Sequence, residues 1–260
     1  MKLERRYVEK PWGRTQLPNM FDPPAGKRIG EVWFTNGADL PLLAKYIFTS
    51  ERLSIQVHPN DEQARARGLS QGKSECWYIL DAEPGATLGL GLKRPIGREE
   101  FRTAALSGLI ERLMDWRPVQ AGDFVFVPSG TVHAIGAGIS LLEFQQNSDV
   151  TYRLYDYGRP RELHLDDGIA VSDAAPFSSD LIQYLSGAED RTLVDGPHFT
   201  LVLTHGDALQ DRRRWALPLQ GEVRNGRDIG RAGDCLLVEA GGVLEVDGAR
   251  MLIGATATPS

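Results

Sequence analysis

The 260-residue chain has only two cysteines, Cys76 and Cys235, far apart and in no CxxC pair. That excludes a disulfide framework and a thiolate metal cluster. It suits a reducing compartment, so a cytoplasmic setting is expected. An excess of basic residues is also missing: 29 Lys and Arg stand against 35 Asp and Glu, a formal net charge of −6. Nucleic acid and anionic membranes are therefore not expected as partners, while a local basic pocket for a small anion stays open. No apolar run approaches the roughly 20 residues of a membrane span. The opening MKLERRYVEKPWG carries no apolar signal region and no cleavage pattern. Short repeats and low-complexity segments are absent.

What the chain has instead is short apolar stretches cut by Gly, Pro, Asp and Asn. PLLAKYIF, RLSIQVH, ECWYIL, DFVFVP, SLLEFQ, DVTYRLYDY, TLVLTH, DCLLVEA and GVLEVDG all read as strands. Their spacing suits an antiparallel sandwich or barrel. Helix is scarce. NDEQARARG reads as one short helix, with Asn60 as cap, acids in its first turn and Gly68 at its end. GREEFRTAALSGLIERLMDW reads as two helical pieces broken near Ser107 and Gly108, with Phe101, Ala105, Leu109 and Leu113 at i, i+4. RELHLDDGIAV reads as an extended, then helical, connector. The polar, Gly-rich GAEDRTLVDGP reads as a boundary between two β units.

The stretch GDFVFVPSGTVHAIGAG holds the spacing Gly122-x5-Pro128-x-Gly130-x2-His133. A strand ends at Pro128, Ser129 and Gly130 turn the chain, and His133 opens the next strand. This pattern resembles the second motif of the cupin superfamily. The first cupin motif supplies H-x-H and then a glutamate; this chain offers Gln56-x-His58 and then Glu75. With a strand period of two, Gln56 and His58 share a face. Two imidazoles, a carboxylate and an amide oxygen suit a borderline divalent metal such as zinc. Each residue alone has an ordinary explanation: a structural histidine, a solvated glutamate, a polar glutamine. It is the joint pattern that argues for a site.

Several spaced blocks carry a closer resemblance. LSIQVHPND, GKSECWYIL, VPSGTVHAIGAGISLLEFQQNSDVTYRLYDYGR and RELH resemble the type I phosphomannose isomerases, as do PWG, IGEVW and PLLAKYI before them. The resemblance runs from about Pro11 to His164 and weakens past residue 170. It implies a mainly β protein: a zinc-binding cupin jelly-roll barrel over 1–170, a connector over 171–190, and a smaller β-sandwich over 191–260, a degenerate cupin, with a few short helices. It implies zinc held by Gln56, His58, Glu75 and His133. It further implies Arg153, Lys73 and Asp149 as catalytic residues, acting on a hexose 6-phosphate. The family's larger members carry His directly before the lysine, where this chain has Gly72, and they have a long helical insertion that this chain lacks. In AGDCLLVEAGGVLEV the cupin phrase recurs with Glu239 in place of Pro and Leu244 in place of His, so no metal is expected there.

The implied reaction interconverts mannose 6-phosphate and fructose 6-phosphate through an enediol. Asp149, Lys73 and a metal-bound water stand as candidate bases. Lys73, Arg153, Arg159 and Arg161 are candidates for the phosphate, the last two reading more readily as solvated loop charges. Trp12, Trp33 and Trp77 read as core aromatics rather than sugar walls. Two alternatives stay open. His58, His133 and Glu75 are also the set of an iron cupin dioxygenase. Gly72 and the reduced architecture also suit a non-catalytic cupin that senses a sugar phosphate.

Overall fold

The computed structural model describes residues 1–37, 39–185 and 189–257. In chain order its strands are β1 (Glu4–Arg14), β2 (Ile29–Thr35), β3 (Leu42–Phe48), β4 (Ile55–Val57), β5 (Glu75–Ala82), β6 (Thr87–Leu92), β7 (Met114–Pro118), β8 (Asp123–Val127), β9 (His133–Ile135), β10 (Ile139–Gln146), β11 (Tyr152–Tyr155) and β12 (Ile182–Tyr184). Then follow β13 (Arg191–Asp195), β14 (Phe199–Thr204), β15 (Arg214–Asn225), β16 (Asp228–Gly230), β17 (Leu236–Val238) and β18 (Glu245–Thr256). The helices are α1 (Asp61–Arg65), α2 (Arg98–Ser107), α3 (Ile110–Leu113) and α4 (Leu165–Val171). Among the described residues no helix is long and apolar enough to cross a membrane.

The strands form three antiparallel sheets. A seven-stranded sheet runs β1-β2-β3-β10-β5-β8-β12 and a five-stranded one β11-β4-β9-β6-β7. The third, six-stranded, runs β13-β14-β18-β15-β16 with β17 also on β15. Alternation along the strands makes the seven-stranded sheet the middle layer. Ile47, Trp77, Ile79, Val125, Val127 and Leu141 meet Leu88, Leu90 and Ile135 of the five-stranded sheet in one core. Their strand neighbours Tyr46, Phe48, Cys76, Tyr78, Phe124, Leu142 and Phe144 point the other way. They meet Phe199, Leu201, Leu203, Trp215 and Leu252 of the C-terminal sheet. Both faces of the middle layer are dry, which explains its near-continuous apolar runs.

The two outer layers differ. The five- and seven-stranded sheets enclose the metal-site residues described below. The C-terminal sheet buries its remaining face around Ala216, Val223, Leu236, Val238, Leu244, Met251 and Ile253. Leu244, which stands where a cupin histidine would, is thus part of a small apolar core. Gly254 marks the closest approach of the layers: a Cβ built there would lie 2.3 Å from the Phe144 ring.

Two stretches differ from their reading. MDWRP, taken as the end of a helix, is β7, paired with the free edge of β6. The helical pieces do break where expected, at Gly108 with φ of 76°. In the boundary segment, 187 and 188 lie outside the described residues, but RTLVD is β13, an edge strand on β14. Within 171–190, β12 pairs with β8 and so extends the middle layer; residues 186–188 lie outside the described residues.

Candidate metal centre and cleft

The centre is built where short strands end. β4 runs Ile55–Val57, and its next residue, His58, begins the turn into α1. Asn60 caps that helix through a capping box with Gln63, which holds the turn in one shape. β9 starts at His133, after the turn in which Gly130 has φ of 88°. Gly130 donates its N–H to the His58 carbonyl at 2.8 Å, tying the two histidine turns together. Gln56 of β4 and His133 of β9 are register partners. Glu75 is the first residue of β5 and points inward, with the same parity as Trp77.

His58, Glu75 and His133 are each about 1% exposed, and one donor atom from each lies within 4.8 Å of the others. His58 Nε2 is 3.6 Å from Glu75 Oε2, and His133 Nε2 is 3.2 Å from Glu75 Oε1. The far nitrogens are anchored: His58 Nδ1 lies 2.7 Å from the Val150 carbonyl, and His133 Nδ1 2.9 Å from that of Thr131. A carbonyl only accepts, so each Nδ1 carries the proton and each Nε2 lone pair faces Glu75. Both Glu75 oxygens are buried: Oε2 pairs with the Lys73 ammonium, and Oε1 faces the His133 Nε2 lone pair with no donor on it. That is the donor set a divalent cation takes.

Gln56 sits beside it. Its Nε2 is 3.3 Å from His133 Nε2, while its Oε1 accepts from Ser54 Oγ at 3.2 Å. The two ends of an amide differ only in donor and acceptor character. Turned over, Gln56 would aim its oxygen at the point on which the His133 lone pair converges.

Electrostatics keeps the donors deprotonated. Burial, with the Lys73 ammonium beside it, pushes the His58 imidazole down to about 3. Burial also lowers His133. Burial alone would raise Glu75, but the Lys73 ammonium holds its carboxyl well below the usual carboxylate range. Lys73 is 4% exposed, with Nζ 2.6 Å from Glu75 Oε2 and 3.1 Å from His58 Nε2.

Gly72, the departure from the larger enzymes, has a steric explanation. A Cβ there would stand 2.5 Å from the Pro59 oxygen and the Asn60 carbonyl carbon. Gly72 N donates to Asp61 Oδ1 at 2.8 Å and Lys73 N to the Pro59 carbonyl at 3.0 Å. The bare backbone therefore packs flat on the His58 turn and delivers Lys73 into the centre.

A cleft of about 240 Å³ opens from this centre, lined among others by Lys10, Trp12, Glu31, Lys45, Gln56, Lys73, Glu143, Asp149, Arg153 and Arg161. Arg153 lies on β11 opposite Gln56. Asp149 is exposed at the rim. Arg161 lines the cleft and Arg159 does not; both are bound to the buried Asp156 carboxylate at 2.7 Å. Trp77 is buried, its indole edge against His133. Trp12 is buried but lines the cleft, and Trp33 donates to Glu31 at 2.9 Å.

Four lining charges went unread in the sequence: Lys10, Lys45, Glu143 and Glu31. Lys45 Nζ is 2.9 Å from Glu143 Oε1 and 3.7 Å from Glu31 Oε1. The Trp77 indole donates to Glu143 Oε2 at 3.0 Å. Burial and the nearby Glu75 charge push the Glu143 carboxyl up, against the pull of Lys45 and Lys73. The signal was available: Lys45 and Glu143 are lone charges in apolar strands, at inward parity with Ile47 and Leu141.

No family model matches the chain. The Bacillus subtilis mannose-6-phosphate isomerase ManA is 42% identical to it, over 75% of this chain and 76% of the relative. The chain belongs to the mannose-6-phosphate isomerases. A family member from Streptococcus mutans is 41% identical over 62% of this chain, but the match spans only 53% of that longer relative. The crystal structure of the mannose 6-phosphate isomerase from Bacillus subtilis superposes with a TM-score of 0.80 and 27% identity, covering 97% of this chain and 98% of that one. A zinc-bound mannose 6-phosphate isomerase shares the fold at a TM-score of 0.74 and 14% identity, each chain covered to 99%. The fold is thus that of the family's cupins.

Proposed function

We propose that this chain interconverts mannose 6-phosphate and fructose 6-phosphate with a bound divalent metal, zinc being the first candidate. The observation that carries the reading is the pair of Nε2 lone pairs converging with a buried, ionised carboxylate at the floor of a cationic cleft. On an acidic chain, five lining side chains are cations and three are carboxylates. That bias suits an anionic sugar.

Gln56, His58, Glu75 and His133 would hold the metal. When bound, it supplies Lewis acidity toward the oxygens on C1 and C2 of the open-chain sugar. The remaining work belongs to the chain. Arg153 lies beside Gln56 on the neighbouring strand and offers fixed positive charge where negative charge grows on the enediolate oxygens. Lys73 sets its Nζ beside Glu75 and His58 at the edge of the centre. Glu143, a carboxyl raised by burial, is placed to hold or release a proton within the cleft, and Asp149 at the rim can exchange one with solvent. Trp12 and Ile47 narrow the cleft and limit its water.

A coupled assay on mannose 6-phosphate, with metal content measured on the same sample, tests the reading. Chelation should abolish turnover and zinc restore it. Full turnover by metal-free protein would overturn the metal requirement. No turnover by zinc-loaded protein would favour the sensor reading, and iron in the purified protein the dioxygenase.

A further inference from the structure

Arg153 lies on β11, the edge strand of the five-stranded sheet. An edge residue leaves a backbone N–H and C=O without a strand partner. At Arg153 one residue satisfies both. His164 donates its N–H to the Arg153 carbonyl at 2.8 Å. The Arg153 N–H donates to His164 Nδ1 at 3.1 Å. An imidazole nitrogen stands in for the missing strand carbonyl. Two residues earlier, the Glu162 carbonyl accepts from Arg153 Nη1 at 2.8 Å. The segment 162–164 therefore grips Arg153 at three points: both backbone groups and one end of the guanidinium. The Nε end is buried and has no hydrogen-bond partner, and the side chain lines the cleft.

We propose that His164 is a positioning residue for Arg153: it fixes the backbone so that the Glu162 carbonyl holds Nη1 and the guanidinium stays in place in the cleft wall. This rests on the reading of Arg153 as a catalytic group. His164 itself does not line the cleft, so it acts through Arg153. Its ring also stands in for strand pairing at the only site residue carried by β11, and a guanidinium swung by an ångström loses much of its use in a preorganised site.

The test uses full-length, metal-loaded protein and mannose 6-phosphate, with His164→Ala, Arg153→Ala and the double variant. His164→Ala is expected to lose between about tenfold and a hundredfold in kcat, with metal content and melting temperature near those of the parent. Adding it to Arg153→Ala is expected to cost nothing further, because the two act as a unit. If His164→Ala turns over like the parent while Arg153→Ala does not, the proposal is overturned and the role of Arg153 stands. If the losses multiply in the double variant, His164 acts elsewhere and the proposal is likewise overturned. If Arg153→Ala keeps full turnover, the reading of Arg153 itself falls, and the proposal with it. Should His164→Ala fail to fold, His164→Gln keeps bulk and polarity without an acceptor at the Nδ1 position and is expected to show the same kcat loss and the same lack of additivity.

Discussion

Lys73 Nζ lies 2.6 Å from Glu75 Oε2, both side chains being at most 5% exposed. A buried ammonium thus sits on the carboxylate that a metal would claim. The pair keeps Glu75 ionised without metal, and it sets up a competition when metal arrives. Removing one partner of such a buried pair costs about 3–5 kcal/mol because the other charge is left uncompensated. Lys73→Met should therefore lower the stability of the chelated protein by roughly 3 kcal/mol. Metal then becomes the only compensation left for Glu75, so the rise in melting temperature on adding zinc should be larger than in the parent. An equal or smaller rise would show that Lys73 and metal do not compete.

Gln56→His tests whether the amide matters as such. The substitution keeps a donor at the site, so metal content should hold. The ring cannot keep both the Ser54 contact and the spacing to His133, and turnover should fall roughly ten- to a hundredfold. Unchanged turnover with full metal would show the glutamine to be incidental.

Gly72→Ala forces a Cβ against the Pro59 and Asn60 backbone, where no flexible side chain can yield. Overpacking of this kind costs about 1–3 kcal/mol. Because the same backbone delivers Lys73 and braces His58, metal affinity should fall along with the urea midpoint. Gly72→His, which restores the larger enzymes' residue, should be worse than Gly72→Ala in both measurements. A stable, metal-tight Gly72→His variant would refute the steric account.

His58 makes the metal-free protein acid-sensitive. Its folded value, about 3, lies below the ordinary 6.5. Between those values the unfolded chain binds the proton and the folded one does not, so this stability is present above about pH 6.5 and lost as pH falls toward 3. Glu75, also lowered, acts in the same direction at lower pH. Glu143, raised, acts in the opposite one above its ordinary value. The comparison that isolates His58 is therefore parent against His58→Asn. The parent's stability should drop more steeply between pH 6.5 and 4.5, and parallel curves would rule the assignment out.

Much of this architecture is legible in the residues because the middle sheet is dry on both faces. Tyr46 against Ile47, and Trp77 against Tyr78, alternate between two cores, so the strands read as apolar runs. The α1 cap and the His133 turn were also readable, since Asn60 and Gly130 act locally. β6 was not: in TLGLGL, Gly89 and Gly91 take the places where a polar residue would mark the alternation. They are needed there because Gly89 lies under Met114 and Trp116, and Gly91 has φ of 64°. β7 was hidden for a related reason. Its residues continue a helical spacing, and only the open edge of β6 decides for strand. The charges Lys45, Glu143 and Glu31 were present in the text of the strands, but their partners come from distant strands, and pairing across a sheet is not a local signal.

The placing of Gly254 under Phe144 has a consequence for how the protein is made. Phe144 shares β10 with Glu143, one facing the C-terminal layer and the other the cleft. The strand that covers Phe144, β18, follows all other strands in the chain yet lies between β14 and β15 in its sheet. A nascent chain that has finished every metal-site residue still lacks the C-terminal layer against which Phe124 and Phe144 pack. Phe199 of β14 and Trp215 of β15 come first, but the strand that joins them in the sheet, β18, comes last. The last layer thus acts as a built-in guard against aggregation during synthesis, and a chain cut after β12 should be recovered as aggregate rather than as a smaller working enzyme.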